Sequence, residues 1–529
     1  MALPIHTART RQGSIATPHL LATKAGEQAY LAGGNAIDAA LAAATVLAVV
    51  YPHNTTLGGD SVSLVHSPDG NVTCVNSTGY APAAVSREEL ALTHGGTLPI
   101  RGADTITVPG AVRGWGALRS LGARLNWEDQ FSNAIEHASS GVPVAPSLAR
   151  LLAKSPFVFD DAGLRGVFAP GGVLLAQGDR LHQPALADSL RTLRSEGESA
   201  LYGGSIGQAL VAGLQARGSR MTIADLEQFQ TEFVAPLTAD VAGLTVFTSP
   251  PNTQGFGLLR ILSALEVLQQ EHPLDGGAAV LARLFGQANV LRDTVLADPR
   301  LAVVDVASLV DGTAAARGAA ASAASKPIFD INLPKGDTIG IAAVDSDGYA
   351  VSLIQSIYHL LGSGILEPTT GIIMQNRGMS FSLDATSENR IEGHKRPSHT
   401  LMPVMVGNAT GLRWVNATMG GKAQPQIHAQ LILKQRAGAT SLETVSAPRF
   451  VVGARVPGDT DDAVYAEEDL SPAALDAFAQ SGMTTTLLPP YTEALGHANV
   501  IACLPDGSFD AASDPRADGG AVVVDLPAL

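Results

Sequence analysis

Two consecutive apolar segments open the chain. "ATPHLLATKAGEQAYLAGG" (16–34) carries its apolar residues at helical spacing and stops at Gly33–Gly34, as a glycine C-cap stops a helix. "NAIDAALAAATVLAVVYP" (35–52) follows as a second helix, ended before Pro52 and apolar on every side, so it must be covered all round. "GGDSVSLVHSPDGNVTCVNST" (58–78) then reads strand, turn, strand, with Pro-Asp-Gly as the turn. Residues 140–235 are mostly amphipathic helix, and "GLTVFTSPPNTQGFGLLRILSALEVL" (243–268) is strand, Pro/Gly turn, helix.

The pattern changes after residue 310. "DGTAAARGAAASAAS" (311–325) is low in complexity and predicts a loose linker reaching to about residue 336. A firm hairpin follows abruptly: "TIGIAAVD" (338–345) and "AVSLIQSIY" (350–358), joined at an Asp-Gly turn. Further strands are expected in "GIIMQN" (371–376), "MPVMVG" (402–407) and "GLRWVNATMG" (411–420), with helices at "PQIHAQLILKQRAG" (425–438) and near 470–482. No repeat of 20–50 residues is visible. Strand groups flanked by helix groups predict layered α/β packing.

Composition narrows the function. The chain has 529 residues, 46% hydrophobic and 16% charged, enough for a large core. A net charge of −15 argues against a basic groove for nucleic acid. The longest apolar run, "AALAAATVLAVV" (39–50), is too short to span a bilayer, and "MALPIHTARTRQGS" (1–14) lacks the apolar core of a secretory signal, so a cytoplasmic protein without a membrane partner is expected. Cys74 and Cys503 form no framework or CxxC pattern and read as ordinary thiols. The 13 histidines show no metal-ligand spacing; neither metal nor cofactor is expected. "TMGGKAQ" (418–424) fails as a phosphate loop because Ala423 stands where Ser or Thr must hold magnesium. No GxSxG elbow is present, and "DSDG" (345–348) lacks the acid that would complete a calcium loop.

Four glycine- or hydroxyl-bearing stretches remain: "GGNAIDAA" (33–40), "GDTIGIAAVDSDG" (336–348), "KRPSHTLMP" (395–403) and "TMGGKAQPQ" (418–426). Each alone fits a turn or a capped helix. In this order, with "VPGAVRGW" (108–115) and "SPPNTQGFGLLRIL" (249–262), they resemble the γ-glutamyltransferase family of N-terminal-nucleophile hydrolases over residues 12 to 525.

The resemblance implies a four-layer αββα sandwich of the α/β (α+β) class. It also implies a precursor that cuts itself between Asp337 and Thr338. Residues 1–337 would form a large subunit and 338–529 a small one, intertwined in a single unit, with room for a heterotetramer of two processed pairs. Thr338 matches the family nucleophile, Ser356 the hydroxyl that hydrogen-bonds it, Gly420 and Gly421 the glycine pair of the oxyanion hole, and Arg87 the arginine that grips a substrate carboxylate. A threonine hydroxyl needs a nearby base. A freed α-amine, with an ordinary pKa of about 7.7–8.0, would supply it.

Other positions depart from the family pattern. In "MQNRGMSFSLD" (374–384), Arg377 and Ser380 stand where the family holds a glutamyl α-amine. His399 and Thr400 replace a serine pair, Tyr358 joins them in the expected substrate pocket, and Ile339 and Gly340 replace a threonine and a histidine. An arginine attracts a carboxylate and repels an ammonium. The departures therefore resemble the hydrolase-like branch that includes oxamate amidohydrolase and relatives of cephalosporin acylase, and they imply a small anionic amide as substrate. An ordinary γ-glutamyltransferase or glutathione hydrolase, a glutaryl acylase, and an inactive scaffold are the alternatives.

Overall fold

The computed structural model describes residues 11–320, 336–455 and 459–526. Two antiparallel sheets lie face to face. The first runs, edge to edge, through Gly520–Asp525, Gln12–Thr17, Gly336–Asp345, Ala350–His359, Asp60–His66, Val72–Ser77 and Glu232–Val234. The second runs through Phe509–Ser513, His497–Cys503, Gly411–Met419, Val404–Asn408, Leu244–Thr248 and Leu237–Val241.

The layers follow from side-chain alternation along the strands. In Gly336–Asp345, Ile339, Ile341 and Ala343 pack against the helices Leu20–Leu31 and Ala36–Val50 on the outer face of the first sheet. Ala342 and Val344 point the other way, against Met405, Val415, Ala417 and Ile501 of the second sheet. The second sheet is backed by the helices Phe256–Leu268, Ala278–Val295 and Gln424–Arg436. The order is helix, sheet, sheet, helix, as expected for the αββα sandwich. Both sheets contain strands from before and after residue 338.

The all-apolar helix Ala36–Val50 is buried along its whole length. Asn35 caps it by accepting from the N–H groups of Ile37 (3.0 Å) and Asp38 (3.3 Å), while the Asp38 carboxylate accepts from Asn35 N–H (2.9 Å). Asp345, at the end of the Thr338 strand, accepts from Ala36 N–H at 2.7 Å and so ties this helix to the hairpin turn.

The structure differs from the sequence reading in two places. Gln12–Thr17 is a strand paired on both sides, although Ala16 and Thr17 fall in the stretch expected to be helical and residues 12–15 carried no expectation. Part of the expected linker is a helix, Gly312–Ala320, with Ala315, Ala316 and Ala319 buried in the core behind the second sheet. Alanine has high helix propensity and small side chains, and here those properties serve close packing. The remainder of that linker, 321–335, lies outside the described residues.

Candidate active site

Thr338 is the third residue of its strand and faces the second sheet, on the side shared with Ala342 and Val344. It is buried, and its Oγ1 donates to Ser356 Oγ at 3.2 Å. Ser356 stands opposite Asp60 on the neighbouring strand. The register between the two hairpin strands shifts between Gln355 and Tyr358, and the bulge turns the Tyr358 N–H back onto Ser356 Oγ at 2.8 Å. Tyr358 takes φ +78°, a left-handed conformation that costs a non-glycine residue about 1–3 kcal/mol. Asn54 donates to the Thr338 carbonyl at 3.4 Å.

The glycine pair follows the strand Gly411–Met419. The Thr338 strand packs against the turn Gly421–Ala423. Gly421 has φ +54°, where an L side chain would be strained. Among the described residues, the N–H groups of Gly420 and Gly421 donate to no protein acceptor. Gln254 joins two of the quoted stretches: its Nε2 donates to Thr400 O at 2.7 Å and to Gly421 O at 2.8 Å.

Arg377 begins the short turn Arg377–Ser380 and is wholly buried. Its Nη1 donates to Thr400 Oγ1 at 3.0 Å, and its guanidinium lies 3.7 Å above the Tyr358 ring. Among the described residues its Nε and Nη2 have no hydrogen-bond partner. Burial pulls its pKa down to about 10, against the favourable fields of Tyr358 and Asp60.

His399 accepts Leu401 N–H at Nδ1 (3.3 Å), so Nε2 carries the proton and donates to Asp60 Oδ2 (3.1 Å). Burial, reinforced by Arg377, pushes its pKa to about 4 and keeps it neutral. Asp60 Oδ1 accepts from Gly79 N–H (2.9 Å), Gly110 N–H (3.1 Å) and Gln375 Nε2 (2.9 Å).

Of the residues read from sequence, Thr338, Ser356 and Tyr358 form one hydrogen-bonded group, and Tyr358, Arg377, Thr400 and His399 form a chain of contacts from it toward Asp60. Ser380 offers its carbonyl to Asn389 Nδ2 at 2.6 Å. Arg87 begins the helix Arg87–His94, where it pairs with Glu88 and donates to Leu383 O at 3.1 Å; Leu383 packs in the same cluster as Tyr358. The stretch 33–40 sits at the opposite, turn end of the Thr338 strand, through Asp345. Sequence reasoning missed Asp60, Asn54 and Gln254. The signal for Asp60 was an acid at the head of the alternating strand DSVSLVH, directly after a glycine pair, where a buried carboxylate needs partners.

An αββα sandwich with a buried threonine near the start of a central strand defines the class, the N-terminal-nucleophile hydrolase fold. The chain belongs to the gamma-glutamyltranspeptidase family, whose model matches residues 22–524, and it is an enzyme of that family's hydrolase kind. It is 36% identical over 527 residues to the glutathione hydrolase-like YwrD proenzyme of Bacillus subtilis, covering 96% of this chain and 98% of that protein. It is 34% identical over 519 residues to the oxamate amidohydrolase proenzyme of Klebsiella pneumoniae, again covering 96% and 98%. Among solved structures, cephalosporin acylase from Bacillus halodurans superposes with a TM-score of 0.89 at 28% identity, over 99% of this chain and 97% of that one. Among the described residues, no helix is long and apolar enough to cross a membrane.

Proposed function

We propose that the chain is a proenzyme that cuts itself between Asp337 and Thr338, and that Thr338 then hydrolyses small amides bearing a carboxylate, with oxamate the favoured substrate. The observation that carries the substrate class is Arg377: a fully buried guanidinium whose Nε and Nη2 have no partner among the described residues. That edge is the fork that takes a carboxylate with two hydrogen bonds. The Tyr358 ring covers one face of the guanidinium at 3.7 Å, a contact that uses none of its N–H donors. The relatives named as proenzymes support the cutting step.

In the cut enzyme the Thr338 α-amine takes the hydroxyl proton as Oγ1 attacks the amide carbonyl. Ser356 fixes the hydroxyl's direction. The carbonyl oxygen, now an anion, is received by the N–H groups of Gly420 and Gly421, each such donor being worth about 3–4 kcal/mol. The amine passes its proton to the departing nitrogen, which leaves as ammonia or an amine. Water then attacks the acyl ester and restores the hydroxyl. The two subunits would be residues 1–337 and 338–529.

The test is ammonia release from oxamate beside glutathione turnover, with intact mass recorded on the same sample. Oxamate hydrolysis by protein carrying a fragment that starts at Thr338 supports the reading. Glutathione turnover without oxamate hydrolysis overturns the substrate class.

A further inference from the structure

A second group of buried polar side chains surrounds the Thr338 strand, and amide hydrolysis makes no use of it. Asn499 Nδ2 donates to Gly340 O at 2.9 Å, fixing the His497–Cys503 strand against the Thr338 strand. His497 is two residues away on the same face and stands opposite Met419, the residue before Gly420. Ser352, opposite Ala342, donates to Asn416 O, and a Cβ on Gly340 would touch Ala417 and Thr418. Moving from Ala342 to Gly340 thus moves along Gly411–Met419 in the same sense, and two residues more bring Thr338 to the level of Met419 and His497. From the other side, Asn54 reaches the Thr338 carbonyl, with His53 beside it.

These residues carry unmet hydrogen-bonding capacity. Among the described residues, neither ring nitrogen of the fully buried His497 is bonded, and His53 Nδ1, Asn54 Oδ1 and Asn499 Oδ1 are also without partners. A buried polar atom left alone costs free energy, and ordered water with two to four polar partners is the usual remedy. His53 Nε2 meets Ser147 Oγ at 3.3 Å, and Ser147 is bonded to the partly exposed Asp518. The group therefore connects to the surface. Burial keeps His53 and His497 neutral, with pKa values near about 3 and about 4. Among the described residues no cluster could hold a metal.

Self-cleavage poses a problem that such a group answers. Before the cut, the Thr338 nitrogen is an amide and cannot act as base. We propose that His53, Asn54 and His497 hold a buried water against Thr338, and that this water accepts the Thr338 hydroxyl proton when the chain cuts itself. The inference rests on the self-cleavage reading above and adds the groups that perform it. Thr338 Oγ1 bonds to the Asp337 carbonyl carbon while its proton passes to the water, which His497 steadies. The Asp337–Thr338 C–N bond breaks, and the water returns the proton to the departing nitrogen. A further water hydrolyses the Asp337 ester on Oγ1, leaving a carboxylate and the free hydroxyl. His53 and His497 act through the water and are positioning residues.

The test follows cleavage of freshly made full-length chain by intact mass, comparing His497→Phe with His497→Gln. Glutamine keeps a donor and an acceptor; phenylalanine keeps only the bulk. Cleavage slows at least about tenfold in His497→Phe and stays within about threefold in His497→Gln, the loss expected of a removed proton-transfer path. Once cut, both turn over amide within about threefold of the parent, because the α-amine has become the base. Parental cleavage in His497→Phe overturns the inference, and so does turnover that falls in step with cleavage, since a merely structural role lowers both. If His497→Phe gives no cooperative melt, His53→Gln is read by the same criteria. Thr338→Ala separates the two levels: continued cutting at 337–338 in that variant ends the self-cleavage reading itself, whereas arrested cutting with an unaffected His497→Phe ends only the role of the water.

Discussion

The guanidinium of Arg377 lies over the Tyr358 ring at 3.7 Å, and the Tyr358 N–H is bonded to Ser356 Oγ, the group that holds the Thr338 hydroxyl. One residue thus joins the anion-binding edge to the nucleophile's partner. Replacing Arg377 by Met removes the fork while nearly keeping the volume. With an anionic amide, kcat/KM falls by about 30-fold or more, mostly through KM, as truncating a buried charge partner costs about 2–5 kcal/mol. The melting temperature holds or rises, because a buried, half-partnered cation has been removed. Arg377→Lys restores little, since an ammonium offers no planar fork. Steady-state kinetics beside a melting curve decide it, and an unchanged KM removes Arg377 from binding.

Thr338→Ala leaves a single species near the full chain mass, inactive on amides, whereas Thr338→Ser still cuts and retains partial activity because a hydroxyl remains. Intact mass over a day of incubation reads both. An alanine variant that hydrolyses amides at the parental rate would move the chemistry to another residue.

How much of this could be read from the chain differs by element. The strands of the central hairpin and the all-apolar helix were legible, since alternation and all-round hydrophobicity report burial directly. Gln12–Thr17 was not, because its place between two other strands is set by partners hundreds of residues away. Gly340 shows the same limit within the site. Its neighbour Ile339 packs in the helix-facing core, but a Cβ on Gly340 would come within 2.7 Å of the Ala417 backbone. The glycine where the family usually has histidine thus reflects close approach of two sheets, which no local pattern encodes. Gly340→Ala is expected to cost about 1–3 kcal/mol by overpacking, measured by denaturant unfolding.

Acid weakens the fold through buried histidines. Burial holds His19, His399 and His497 near about 4 and His53, His359 and His428 near about 3. The unfolded chain binds these protons near the ordinary pKa of about 6.5, so it carries more protons than the native state below that pH. Stability is complete above about pH 6.5 and declines as pH falls toward 4. Asp345 works in the opposite direction: burial raises it to about 6, so between its ordinary value and 6 the native state binds the extra proton and gains stability as pH falls. Burial also raises the Asp38 and Glu493 carboxyls, which act in the same direction as Asp345; the six imidazoles outweigh these three carboxyls, and the net effect is acid lability. Melting temperatures taken from about pH 7.5 down to about pH 5 should fall steadily; a flat profile would mean that the imidazoles are not held neutral.

Asp60 is the test of how the site is assembled. Its carboxylate accepts from Gly79, Gly110, Gln375 and His399, and its field favours the charge on Arg377. In Asp60→Asn one oxygen becomes a donor, and either orientation sets it against existing donors. If the amide faces His399, the ring must surrender its Nε2 proton to Nδ1, which already accepts Leu401 N–H. If it faces the other side, two backbone N–H groups and an amide lose their acceptor. No tautomer relieves the conflict, so the substitution costs about 3–5 kcal/mol, as expected when a buried charge loses its partner. Part of that cost is Arg377 left without its nearest negative field. Adding Arg377→Met to Asp60→Asn therefore costs less than the sum of the two single changes, a coupling of about 0.5–3 kcal/mol in a double-mutant cycle. Strict additivity would show that Asp60 holds only the loops, and that the charge on Arg377 is balanced elsewhere.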